Sequence, residues 1–213
     1  MVEQWSVADQ VSLDGRLSVW GAVCPPRVPY GDAPARSQLE REAWVLNRFL
    51  MRLGAARMLQ FPLHIKKGHE PHGSDFVVYT GESRRGIQIT DACDPKEQKQ
   101  WSTVAKQVRD AGVDSEWKPN HVAQNLTAGN RYVGLVSDAI ARKSEKVADG
   151  VTDLLVNLDT HDIAHDNLAR QVEKLAHLSC FGFKFHRVWV LSSDGLIDLT
   201  NQTEVLEYKA PHL

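Results

Sequence analysis

The mostly apolar run from Val151 to Leu158 constrains this chain more than any other segment. A strand with that composition is buried on both faces, and burial on both faces needs helices above and below the sheet. Helical spacing flanks the run on both sides. Val133, Val136, Ile140 and Val147 form a stripe within residues 131–147, and Leu168, Val172, Leu175 and Leu178 form another after it. Phe183 to Leu191 is a further strand, and Gly195 to Leu199 pairs with it through Ser193-Asp194. The pattern predicts an α/β domain with a central mixed β-sheet flanked by helices. The βαβ link through Val151–Leu158 should be right-handed.

Upstream, Ser37 and Glu40 form a capping-box pair, followed by Leu39, Ala43, Leu46, Leu50 and Leu53 at helical spacing up to Gly54. Ala55 to Ile65 reads as a strand interrupted by Pro62. Asp75-Phe-Val-Val-Tyr and Gly86-Ile-Gln-Ile-Thr read as two strands of a hairpin, with residues 80–85 as a polar turn around Gly81. Pro95 opens a helix with the stripe Trp101, Val104, Ala105 and Val108, and residues 110–128 read as a long loop. The tail from Thr200 is polar. Residues 1–36 are expected to be an arm: short strands around Trp5, Val7, Val11, Leu13, Leu17, Val19 and Trp20, a turn at Asp14-Gly15, then a Pro-rich loop. This divides the chain into an arm, 1–36, and an α/β domain, 37–213. The arm packs on the domain and is a candidate interface for a protein partner or a homodimer.

At 213 residues the chain is long enough to bury a core without staples. No run approaches a membrane span, and Met1-Val-Glu-Gln-Trp lacks the basic, apolar pattern of a signal peptide. A net charge of −2 excludes a basic nucleic-acid coat and leaves only a local basic patch. Cys24, Cys93 and Cys180 are sparse and lack CxxC spacing, which suits buried thiols in a reducing cytoplasm rather than a zinc site. His64, His69 and His72 cluster, and His161 and His165 have i,i+4 spacing without HExxH.

The segment that carries chemistry is Gly73-Ser-Asp-Phe-Val-Val, a turn, and Gly86-Ile-Gln-Ile-Thr-Asp-Ala. Asp75 begins one strand and Gln88 sits in its partner, so the hairpin brings two oxygen-bearing side chains together. Hard divalent ions such as Mg²⁺ take such ligands. Glu42 lies at the edge of the first helix's apolar stripe, a position where an acid needs a metal or a basic partner.

Ser74-Asp75 followed by Gln88-Ile-Thr90 resembles a degenerate PD-(D/E)xK motif, the signature of restriction-endonuclease-like nucleases. The preceding helix with Glu42 is similar to the family's pattern, and the resemblance spans roughly residues 37–109. It implies a restriction-endonuclease-like fold and a metal-dependent nuclease. Asp75 falls on the motif aspartate, Gln88 on the acidic position and Thr90 on the lysine position. Asp75, Gln88, Glu42 and Glu70 become candidate ligands for Mg²⁺ or Mn²⁺, and Asp75, Gln88, Thr90 and Glu42 candidate catalytic residues. His72 is a further candidate ligand or base. The departures matter. Ser74 stands for proline, Gln88 is neutral, and Thr90 cannot supply an ammonium. Lys66, Lys67, Lys96, Lys143 and Lys146 are candidates to do so. With Arg142, these lysines are also candidate nucleic-acid contacts, DNA or RNA. Asp91 points to the face opposite Thr90 in a regular strand.

Each residue also has an ordinary reading. Asp75 suits a turn. Gln88 suits a solvent face, Thr90 a β-former, Glu42 an ion pair with Arg41 or Arg48, and Arg131, Arg142, Lys143 and Lys146 a solvated helix face. Trp101 and Trp117 are base-stacking candidates or core residues. Three functional expectations follow: a divergent metal-dependent nuclease, a catalytically inactive nuclease-fold module that binds nucleic acid or protein, and a non-nuclease enzyme working through His64, His69 and His72.

Overall fold

The computed structural model describes residues 4–13, 15, 38–68, 74–92, 131–145, 152–158, 168–178, 184–192, 195–201 and 203–207. The expectations for Cys24, Cys93, Cys180, His69, Glu70, His72, Lys96, Trp101, Trp117, Lys146, His161 and His165 lie outside them, as do the Ser37 cap and residues 93–130.

The chain forms an α/β fold around one mixed sheet of eight strands, ordered as in the sequence. They are β1 (Gln4–Val7), β2 (Leu63–Lys67), β3 (Phe76–Thr80), β4 (Ser83–Asp91), β5 (Thr152–Asn157), β6 (Val188–Leu191), β7 (Gly195–Asp198) and β8 (Thr203–Glu207). β1 to β4 are antiparallel neighbours, β4, β5 and β6 run parallel, and β6 to β8 are antiparallel again. The helices described are α1 (Gln38–Ala55), α2 (Arg131–Ser144) and α3 (Leu168–Ala176). None of them is long and apolar enough to cross a membrane.

Alternation along each strand divides the core into two layers. Leu46, Phe49, Leu50 and Leu53 of α1 pack on Ile65, Phe76, Val78, Ile87, Ile89, Leu155 and Trp189. The Phe49 and Trp189 rings meet edge to face at 5.5 Å. On the other face, Tyr132, Val136, Ala139 and Ile140 of α2 and Leu175 of α3 cover Leu154, Val156, Val188 and Val190. β5 is buried along its whole length, as its composition requires.

Five local expectations are corrected. Residues 10–13 form a helical turn rather than a strand, because the Asp9 carboxylate accepts the Ser12 N–H at 2.8 Å and caps it. Residues 56–62 are turn and loop, and β2 starts only at Leu63, after the cis Phe61-Pro62 bond. The hairpin turn is Gly81-Glu82 alone, with Gly81 at φ 56°, so β4 reaches back to Ser83. The polar tail contains β8, an edge strand started by an Asp198 turn, in which the carboxylate accepts the Thr200 and Asn201 N–H groups. β6 is shorter than expected, starting at Val188.

Candidate functional site

The site is built where β3 stops and β4 runs on. The ladder register places Phe76 opposite Ile87, so Asp75 falls opposite Gln88 on the same sheet face. The Asp75 N–H donates to the Ile87 carbonyl at 2.9 Å, the last bond of the ladder. Beyond it the Ile89 N–H has no strand to meet on that side, and the Asp75 carboxylate accepts it at 2.6 Å. A short bond of this kind to a carboxylate is a strong one, and it fixes the side chain beside Gln88.

The turn that delivers Asp75 depends on Gly68. Its N–H donates to the Asp75 carbonyl at 2.8 Å. A Cβ on Gly68 would collide with the Ser74 carbonyl oxygen. Ser74, at the proline position of the motif, sits over Gly86, where a Cβ would crowd its hydroxyl at 3.0 Å.

Gln88 is 6 % exposed, so the solvent-face reading is overturned. β4 is buried on both faces here: Ile87 and Ile89 meet α1, while Gln88 looks toward the α2 side. Its Oε1 is buried and accepts no hydrogen bond from the described residues. An unsatisfied buried acceptor costs about 1–3 kcal/mol, so it needs a reason. Thr90 lies two residues on, on the same face, half-buried, and its register partner is Val156.

Glu42 projects from the first turns of α1 and is half-buried. Its Oε1 accepts the Gln38 Nε2–H at 2.7 Å. Burial pushes its carboxyl above the ordinary carboxylate range; the negative charge of Asp75 adds to that, and Lys143 and Arg41 offset it. Asp75 is also pushed up, again mainly by burial, against the Ile89 bond and the Lys143 charge. Asp75 therefore acts on Glu42, and Lys143 acts on both. Lys143 occupies this place because it continues the buried stripe of α2, four residues after Ala139 and three after Ile140.

The other candidates are distributed more widely. Arg142 is exposed, with its Nε–H donating to the Asp138 carbonyl at 3.4 Å. Lys66 is exposed, 5.5 Å from the Tyr79 ring centroid, and Lys67 pairs with Phe76 and so sits on the α1 side. Asp91 is opposite to Thr90, as a regular strand requires, and accepts the Asn157 Nδ2–H at 2.8 Å. His64 bonds Ser6 across β1 and β2, with Ser6 Oγ and His64 Nδ1 2.8 Å apart. Among the described residues no group of three or more His, Cys, Asp or Glu side chains is placed to hold a metal. Asp75 and Gln88 share one face of the sheet, and Glu42 is close enough for the Asp75 charge to act on it.

A second polar cluster was not singled out by sequence. Asp153, fully buried in β5, lies 3.0 Å from His186 Nδ1 and accepts the Trp189 Nε1–H at 3.2 Å, while Arg85 Nε lies 3.5 Å away. Its signal was a lone acid inside an apolar strand. With these partners around it, the cluster ties β4, β5 and β6 together.

Comparison of the chain with family models, with curated proteins and with solved structures found no match.

Proposed function

We propose that this chain has a restriction-endonuclease-like fold and is a divergent nuclease hydrolysing phosphodiester bonds with a divalent cation. The observation that carries this reading is the buried Gln88 Oε1, without a hydrogen-bond partner among the described residues and opposite Asp75, with Glu42 and Lys143 within electrostatic reach of Asp75. An amide oxygen and two carboxylates are donors a hard divalent ion accepts. Asp75, Gln88 and Glu42 would hold Mg²⁺ or Mn²⁺, which when bound supplies Lewis acidity and positive charge at the scissile phosphate.

The chain's own residues do the rest. Asp75, locked by the Ile89 N–H, keeps a fixed orientation at the point where the phosphate must sit. Lys143 supplies the ammonium that Thr90 lacks and stabilises charge building on the phosphate oxygens. Glu42, half-buried near the start of α1, brings a second carboxylate to the site from the helix. The test is cleavage of DNA and RNA by wild type and by Asp75→Ala, with Mg²⁺ or Mn²⁺ and with EDTA. Cleavage lost in both the variant and EDTA is expected; cleavage retained by the variant would overturn the assignment.

One observation favours a second reading. Gln88 replaces a carboxylate and Thr90 a lysine, as in a nuclease fold that has kept its shape as a binding module and lost catalysis. The readings separate on divalent-ion affinity, which in the module does not depend on Asp75.

A further inference from the structure

The face of the sheet that carries Asp75 and Gln88 continues beyond α2. Register carries it across four strands. Ser6 pairs with His64, His64 with Tyr79, and Tyr79 with Arg84, forming one transverse row. A parallel row, Gln4, Lys66, Val77 and Gly86, lies between that row and the Asp75–Gln88 pair. Alternate residues on a strand are about 6.8 Å apart, so Tyr79 stands about 13 Å from Asp75 on the same face.

This half of the face is uncovered by α2 and α3, whose apolar side chains cluster with β5 to β7 and with none of β1 to β3. Gln4, Ser6, His64, Lys66 and Arg84 are exposed, and Tyr79 is half-buried. A groove of about 550 Å³ runs over Gln4, Ser6, His64, Lys66 and Tyr79, and none of the described residues lining it is acidic. Three rings, Tyr79, His64 and Trp5, line it, the ammonium of Lys66 lies over the tyrosine, and Arg84, outside the groove, continues the Tyr79 row.

We propose that this open face of β1–β3 is a stacking platform for unpaired bases, and that the substrate is single-stranded nucleic acid led from Tyr79 toward Asp75. The proposal rests on the nuclease reading for its direction along the sheet. Aromatic rings accept the base faces, and Lys66 and Arg84 neutralise phosphates. A duplex has its base faces stacked inside and cannot use the rings.

The test is metal-free binding, so catalysis does not enter. In EDTA at low salt, fluorescence anisotropy of the full chain is measured with labelled oligothymidylate and oligouridylate of about 15 nucleotides and with a duplex of equal length. Single strands should bind more tightly than duplex. Tyr79→Leu should weaken single-strand binding about ten-fold, while Tyr79→Phe, which keeps the ring, should keep it. Thermal melts of each variant confirm folding. Equal or tighter duplex binding, or wild-type affinity in folded Tyr79→Leu, overturns the platform. If Tyr79→Leu fails to fold, Arg84→Glu on the exposed row carries the test, with loss of single-strand binding expected and unchanged binding overturning the proposal. Single-strand binding without cleavage in Mg²⁺ or Mn²⁺ leaves the platform standing and sinks the nuclease reading.

Discussion

The Asp75 carboxylate accepts the backbone N–H of Ile89 at 2.6 Å, at the point where β3 ends and β4 runs on beside β5 alone. One side chain thus closes the ladder and stands opposite the buried amide of Gln88. The same carboxylate is held above its ordinary proton affinity by burial, with Glu42 raised beside it. A site that collects negative charge in a desolvated place is unfavourable without a cation, and this relationship governs the expected behaviour of the chain.

The two acids should make the metal-free protein less stable as pH rises. Each carboxyl is raised in the folded chain, so the fold binds the proton more tightly than the unfolded chain does. That contribution is full below about pH 4, the unfolded carboxylate range, and is lost as pH climbs through the raised folded values. Glu42→Gln should therefore stabilise the metal-free protein at pH 7 by a few tenths of a kcal/mol, roughly what solvent screening leaves at a half-exposed site, and the gain should vanish at low pH. Denaturant melts between pH 4 and pH 8 in EDTA measure this.

Divalent cation should reverse that destabilisation. A ligand bound only by the folded chain, at one hundred times its dissociation constant, stabilises by about 2.7 kcal/mol. Mn²⁺ or Mg²⁺ should raise the Tm of wild type and leave that of Asp75→Asn unchanged. Equal shifts in both proteins would place the ion elsewhere.

Lys143 should be the lysine that matters. Lys143→Met is expected to lower cleavage by about 10²-fold or more, as loss of a charge stabiliser does, while Arg142→Met, on the exposed side of α2, changes it little. Thr90 shares the face of Gln88, so Thr90→Lys in the Lys143→Met background should restore part of the rate. Single-turnover rates on one substrate decide it.

Gly68→Ala should act at a distance. The added methyl meets the Ser74 carbonyl oxygen and must push the turn that carries Asp75. A displacement of about 1 Å is worth about 10²-fold in rate. Cleavage should fall further than the Tm does, and an unchanged rate would separate this turn from the chemistry.

Asp153→Ala should destabilise by about 3 kcal/mol or more, because it strips a buried acceptor from His186, Trp189 and Arg85. The readout is a urea melt followed by tryptophan fluorescence. A change under about 1 kcal/mol would make the cluster dispensable.

Much of this architecture is legible in the sequence. β5 announces itself by its apolar run, the β3–β4 hairpin by its paired short strands, and α1, α2 and α3 by their stripes, because burial imposes a period on the side chains. β8 is not legible: Thr203–Glu207 is short and mostly polar, so no apolar period marks it as a strand. The helical turn at 10–13 is equally hidden, since Val11 and Leu13 alternate like a strand and only the Asp9 cap decides otherwise. At the candidate site the residue types Asp75, Gln88, Glu42 and Lys143 stand in the sequence, and Asp91's turn away from Thr90 follows from strand alternation alone. The choice among the described lysines, Lys66, Lys67 and Lys143, does not.

By itself, then, the sequence determined the α/β class and the identity of the groups near the hairpin, because both depend on local period and local composition. The tertiary structure decided the rest. It set the burial of Gln88 between two layers, the reach of Glu42 and Lys143 to Asp75 from two different helices, and the continuous face linking Tyr79 to Asp75. Those depend on which elements become neighbours, and contacts between residues some 30 to 100 positions apart leave no mark on the periodicity of either segment.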